Sequence, residues 1–143
     1  MTELNDTIFA KIIRGELPSY KIYEDDDFLV ILDKFPAHMG HSLILPKVPA
    51  KDIFDLNERM AKGLYPLAKR IASAVQKATG CDGINILQNN GAAAGQVVFY
   101  FHLHIMPRFV SDGFVMRGSA KTDCAEEQFA EMASDITRNL LGE

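Results

Sequence analysis

Residues 97–106, Val-Val-Phe-Tyr-Phe-His-Leu-His-Ile-Met, constrain the fold more than any other stretch of the chain. Side chains of a strand alternate between its two faces. A strand here puts Val97, Phe99, Phe101, Leu103 and Ile105 on one face and Val98, Tyr100, His102, His104 and Met106 on the other. The chain has only four histidines, and two of them share that second face. Pro107 has no amide to give a ladder, so the strand is predicted to end there.

Patterns elsewhere supply partners for such a strand. Ile8, Phe9, Ile12 and Ile13 recur at helical spacing before Gly15, predicting a short helix over 7–14. The β-rich runs 20–24 and 28–33 flank an acidic turn and read as a hairpin. A loop over 34–41, carrying Pro36 and Gly40, leads to a third strand at 42–46. Met60, Leu64, Leu67, Ala68, Ile71, Ala72 and Val75 form one stripe of a long helix within 52–79, stopped by Gly80. Asp55 and Glu58 suggest a capping box at its start, and Pro66 a kink or break near 62–66. Residues 83–88 read as the fourth strand and 89–95 as a turn-rich loop. After an irregular segment with Gly113 and Gly118, Phe129, Met132, Ala133, Ile136 and Leu140 mark a C-terminal helix. The order predicts one α+β domain over 1–143, with a mainly antiparallel five-stranded sheet, one long central helix, a short N-terminal helix and a C-terminal helix.

Composition removes several function classes. With a net charge of −4 and scattered lysines and arginines, there is no basic stripe to bind nucleic acid. Cys81 and Cys124 form neither a disulfide framework nor a CxxC pair. No apolar run is long enough for a signal peptide or a membrane span, so a cytoplasmic setting without membrane contact is expected.

Taken alone, the His102/His104 pair admits three readings. The histidines fill a sheet surface; or they bind metal with His38 and His41; or one is a nucleophile or base and the other meets charge on an anion. The loop 89–96 favours the third. It is polar, bracketed by Gly91 and Gly95, and a hairpin would bring its amides and Gln96 to one end of the histidine strand.

The run GQVVFYFHLHIMPR resembles the signature of the histidine-triad (HIT) superfamily, His-x-His-x-His-x-x with x apolar, following Gly-Gln. IFAKIIRGELPSYKIYEDDDFLVILD and GHSLILPK resemble further family segments, so the likeness covers roughly residues 7 to 110. It is best to the small branch acting on purine nucleoside phosphoramidates. The resemblance implies the HIT-like fold, a homodimer and a nucleotidyl hydrolase or transferase working on an α-phosphate without a cofactor. It implies that His102 attacks phosphorus, its other ring nitrogen held by the Tyr100 backbone carbonyl, while His104 and His41 attend the phosphate. Gln96 would touch the bridging or leaving atom, with Asn89 and Gly95 helping to bind phosphate. Asp33 would take the ribose hydroxyls, and Phe9, Ile12, Leu17 and Ile31 would line the base pocket.

The chain departs from that pattern in informative places. Tyr100 replaces the first triad histidine, putting a phenol beside the site, and Val97 replaces a hydroxyl residue able to reach the leaving group. Some bacterial relatives bind a structural zinc; the matching positions here are Thr7, Ala10, Pro49 and Tyr100, so no metal is expected there. His38 matches nothing in the family and reads as a surface loop residue. The alternatives are a nucleotide-binding protein with little turnover, and a dinucleoside polyphosphate hydrolase with room for a second nucleoside beside 109–121.

Overall fold

The computed structural model describes residues 2–114 and 123–142. Part of the 109–121 segment, including Gly118, lies outside the described residues. The described chain groups into two compact units, 1–112 and 113–143. In the first, α1 (Ile8–Ile13) is followed by β1 (Lys21–Glu24), β2 (Phe28–Leu32), β3 (Ser42–Pro46), α2 (Glu58–Thr79), β4 (Gly83–Leu87) and β5 (Leu103–Arg108). The second contains α3 (Glu126–Leu140), whose apolar residues Phe129, Met132, Ile136 and Leu140 are exposed.

The five strands form one antiparallel sheet in the order β1-β2-β3-β5-β4. Both of its faces are covered, which is why β2 and β3 are apolar without alternation. Phe28, Val30, Ile44, Leu103 and Ile105 pack with Met60, Leu64, Leu67, Ala68, Ile71 and Val75 of α2. On the other face Leu29, Ile31, Leu43 and Leu45 pack with Phe9 and Ala10 of α1 and with Tyr100. Val98 joins this second cluster and Phe101 the first, so the predicted parity persists through 98–105.

The strand itself is shorter and later than predicted. Pairing begins at Leu103, because β4 ends at Leu87 opposite His104 and β3 pairs no further than Ile44 opposite Leu103. His102 therefore precedes the ladder. Pro107 does not end it, but pairs with Ile84 on β4. On its other side β3 has already stopped at Ser42, opposite Ile105, so no ladder there requires a Pro107 amide.

The helix termini also differ in detail. Thr7 caps α1, its hydroxyl accepting from the Ala10 amide at 3.2 Å. Asn57, and not Asp55, caps α2 by accepting from the Met60 amide at 2.8 Å. Asp55 accepts instead from the Lys51 amide at 3.2 Å. The helix runs through Pro66 without a break. Pro66 and Lys62 are both exposed, so the Lys62 carbonyl that loses its helical partner can turn to water. Gly80 ends α2 at φ 66°, the left-handed conformation that favours glycine.

Candidate active site

His102 is held by the backbone of its own strand approach. Its Nδ1–H donates to the Tyr100 carbonyl at 2.6 Å. A neutral ring whose Nδ1 carries the proton has its lone pair on Nε2, so this contact fixes the nucleophilic tautomer. Burial pushes the His102 pKa below its usual value, partly opposed by the Tyr100 carbonyl and Asp33.

Tyr100 serves this arrangement through its carbonyl, while its side chain points elsewhere. The ring is 1% exposed within the α1-side core, and its hydroxyl donates to the Pro46 carbonyl. Burial raises the phenol pKa to about 12. Against the expectation of a new donor beside the site, the hydroxyl is engaged by its hydrogen bond to the Pro46 carbonyl of β3.

His104 and His41 form a second fixed pair. The Ala37 amide donates to His41 Nδ1 at 3.2 Å, which leaves the ring proton on Nε2. That Nε2 lies 2.8 Å from His104 Nδ1, so His104 accepts there and carries its own proton on Nε2. The His102 and His104 rings are 4.9 Å apart. Burial, with His102 and His41 close by, pushes the His104 pKa down to about 4. His41 is lowered as well, mainly by burial, with Asp33 opposing. At neutral pH this is a cluster of neutral imidazoles, one presenting a lone pair and one presenting an N–H.

Asp33 follows β2 and faces the pair, its Oδ2 3.5 Å from His41 Nε2. Oδ1 accepts from the Phe35 amide at 2.9 Å. Asp33, His41 and His104 bring three ligand atoms within 4.8 Å of one another, a separation that suits a metal ion. The donor chemistry does not. His41 accepts at Nδ1 and so holds its proton on the very nitrogen that would face the ion, whereas a ligating imidazole normally donates from its far nitrogen.

These residues line a cavity of about 580 Å³. Its polar lining includes His41, His102, His104, Asp33, Asn89 and Gly95; its apolar lining includes Phe9, Ile12, Ile31 and Leu43. Pro18, Ser19, Tyr20, Phe35 and Val98 also line it, although no pattern in the sequence marks them as pocket residues. Leu17 is exposed and does not line it, contrary to expectation; the chain presents Pro18 to Tyr20 instead. Asn89 donates to the Gly95 carbonyl at 3.4 Å, and Gly95 takes φ 91° at the end of a short 3-10 turn over Ala92–Ala94. Val97 reaches the cavity but is 84% exposed.

Gln96, expected at the leaving atom, does not line the cavity, and both hydrogens of its amide are taken by backbone carbonyls. Oε1 accepts from the Gly91 amide at 2.8 Å, while Nε2 donates to the Lys51 carbonyl at 2.8 Å and the Val98 carbonyl at 3.1 Å. It fastens the 91–98 loop to the 50–57 segment and has no donor left for a leaving atom. His38 also differs from its reading as a surface residue: its Nε2 lies 3.1 Å from Asp112 Oδ2. Those two residues are 74 positions apart, and no local pattern links them.

Comparison with known proteins shows the family to which this fold belongs. Residues 14–111 match the HIT domain. The chain is 42% identical over 141 residues to adenylylsulfatase HINT3 of Arabidopsis thaliana, covering 95% of this chain and 70% of that protein. The crystal structure of a HIT family protein from Bacillus anthracis superposes with a TM-score of 0.86 at 36% identity, covering 96% of this chain and 99% of that one. A histidine triad nucleotide-binding protein from Candida albicans superposes with a TM-score of 0.85 at 26% identity, covering 95% and 98%. An α+β fold built on one antiparallel sheet, with a clustered set of histidines beside it, defines the class. The chain belongs to the HIT family.

Proposed function

We propose that this protein is a nucleotidyl hydrolase or transferase acting on the α-phosphate of purine nucleotide conjugates, with nucleoside 5′-phosphoramidates as the reference substrates. The observation that carries the reading is the His102 Nδ1–H donated to the Tyr100 carbonyl, which leaves Nε2 unprotonated on a residue lining a cavity large enough for a nucleotide. Nε2 attacks the α-phosphorus and the P–N bond breaks. The amine leaves with the bond's electron pair and one proton drawn from solvent. His102 then carries the nucleotidyl group and a positive charge, which the Tyr100 carbonyl stabilises through Nδ1–H. Water attacks phosphorus, releases the nucleoside monophosphate and returns one proton to solvent. His104 Nε2–H donates to the phosphoryl oxygens as charge gathers on them. Asp33 accepts from the ribose hydroxyls, and Phe9, Ile12 and Ile31 pack on the base.

The name of the Arabidopsis relative supports an adenylyl conjugate with an acidic leaving group as a second substrate type. The working form in this reading is a homodimer. Its support is the β4 edge of the sheet and the exposed Tyr65 and Ile86, which leave apolar surface for a second copy.

The test is release of AMP from adenosine 5′-phosphoramidate by wild type and His102→Ala, with AMP binding measured on both. Release by wild type alone, with binding retained in the variant, is expected. Equal release by both would refute the covalent route. AMP binding without release by either would make the protein a nucleotide binder.

A further inference from the structure

The loop between β2 and β3 carries Asp33 at one end and His41 at the other, and His38 ties its middle to the rest of the unit. His38 Nε2 donates to Asp112 Oδ2 at 3.1 Å, and its ring stands edge-on to Phe109 at 5.4 Å. Asp112 is itself rigidly held, its side chain only 5% exposed. Arg108 grips it with Nε at 2.8 Å and a second nitrogen at 2.9 Å, and the Phe109 amide adds a bond at 3.1 Å. Arg108 also reaches Asn85 of β4 at 2.7 Å. Among the described residues, His38 provides the only hydrogen bond from a side chain of 34–40 to a residue outside the loop.

The backbone on either side of that tie acts on the site. The His41 amide donates to the His38 carbonyl at 3.0 Å, and the Ala37 amide, one residue earlier, donates to His41 Nδ1 at 3.2 Å. Displacing Ala37 removes the donor that occupies His41 Nδ1 and leaves only the longer 3.5 Å contact of Asp33 with Nε2 to favour one tautomer, so the proton redistributes between the two nitrogens. His104 Nδ1 then loses its assured donor, and its Nε2 ceases to be reliably protonated. His38 does not line the cavity, so it cannot contact substrate there.

We propose that His38 is a positioning residue: by clasping Asp112 it holds the Ala37 amide on His41, and so fixes the tautomers of His41 and His104. The proposal rests on the transfer reading for its kinetic consequence, but the tautomers can be read without any turnover. Long-range proton–nitrogen NMR of the imidazoles in the full chain gives the first measurement. Wild type is expected to show Nε2–H on both His41 and His104, and His38→Ala to show mixed tautomers at His41. In the second measurement, His38→Ala lowers kcat for adenosine 5′-phosphoramidate about tenfold, with KM moving less than about twofold, as expected for misplaced catalytic groups. His38→Gln places an amide nitrogen where Nε2 was and restores both readouts. Unchanged tautomers in a folded His38→Ala protein would overturn the proposal, whatever its turnover. An inactive wild type whose tautomers still respond to His38→Ala would refute the transfer reading and support the clasp.

Discussion

At the residue scale the instructive position is Tyr100, where one residue performs two separable tasks. Its carbonyl orients His102, which any amino acid could do, while its phenol closes a buried bond to the Pro46 carbonyl, which a phenylalanine could not. Tyr100→Phe is therefore expected to keep kcat within a factor of two or three while leaving a buried carbonyl unpaired. The cost in stability is about 1–3 kcal/mol, read as a lower midpoint in a urea titration. Tyr100→His restores the triad sequence and keeps the carbonyl, so its rate is also expected to change little. A large loss of kcat in Tyr100→Phe at unchanged fold would mean that the hydroxyl acts on the reaction. Val97, by contrast, is exposed at the cavity wall, and its side chain lacks the hydroxyl that the resemblance leads one to expect there.

At the element scale, what the sequence made legible was periodicity, and what it hid was accounting for donors and acceptors. The two-residue parity of 98–105 correctly separates Phe101, Leu103 and Ile105 from Val98 and Tyr100. It cannot say where pairing begins, because that depends on where β3 and β4 stop. The stripe of α2 was legible for the same reason, whereas its cap lay two residues from the predicted one. Gln96 shows the limit most clearly. Its proximity to the histidine strand was readable, but the local turn that pairs it with Gly91 and Val98 carries no sequence signal of its own, and its Lys51 partner comes from tertiary folding. Gln96→Leu would leave the Gly91 amide and two carbonyls without this partner, so a loss of stability of about 2 kcal/mol or more is expected by thermal unfolding. If it instead abolished turnover with no loss of stability, the leaving-atom role would be reinstated. Gly40 is a second silent requirement of the site loop. At φ 102°, with Thr79 Cγ2 2.7 Å from any added Cβ, a side chain here is strained and must displace either Thr79 or the loop that carries His38 and His41.

For the whole molecule, the cost of burying three imidazoles beside one cavity should appear as acid sensitivity. His41, His102 and His104 all have pKa values below the usual 6.5 in the folded protein, chiefly because burial disfavours their charged forms. As pH falls below about 6.5 the unfolded chain takes up protons that the folded chain resists. Stability present above that pH is therefore lost on acidification, for His104 across the window from 6.5 to about 4. The carboxylates Glu24 and Asp25, whose pKa values are lowered by hydrogen bonds to Lys21 and Lys47 for Glu24 and despite burial for Asp25, act mainly below that window. The melting temperature of wild type is expected to change little near pH 7.5 and to fall from about pH 6.5 to 4.5, and that of His104→Gln to fall less steeply, because one of three resisting groups is gone. A bound nucleotide phosphate reverses the balance, since an anion beside the cluster favours the protonated imidazoles. Saturating AMP should therefore raise the melting temperature more at pH 5.5 than at pH 7.5, by an increment that shrinks in His104→Gln. Equal increments at both pH values in wild type would mean that the phosphate does not lie against the histidines, and would move the nucleotide site away from His102.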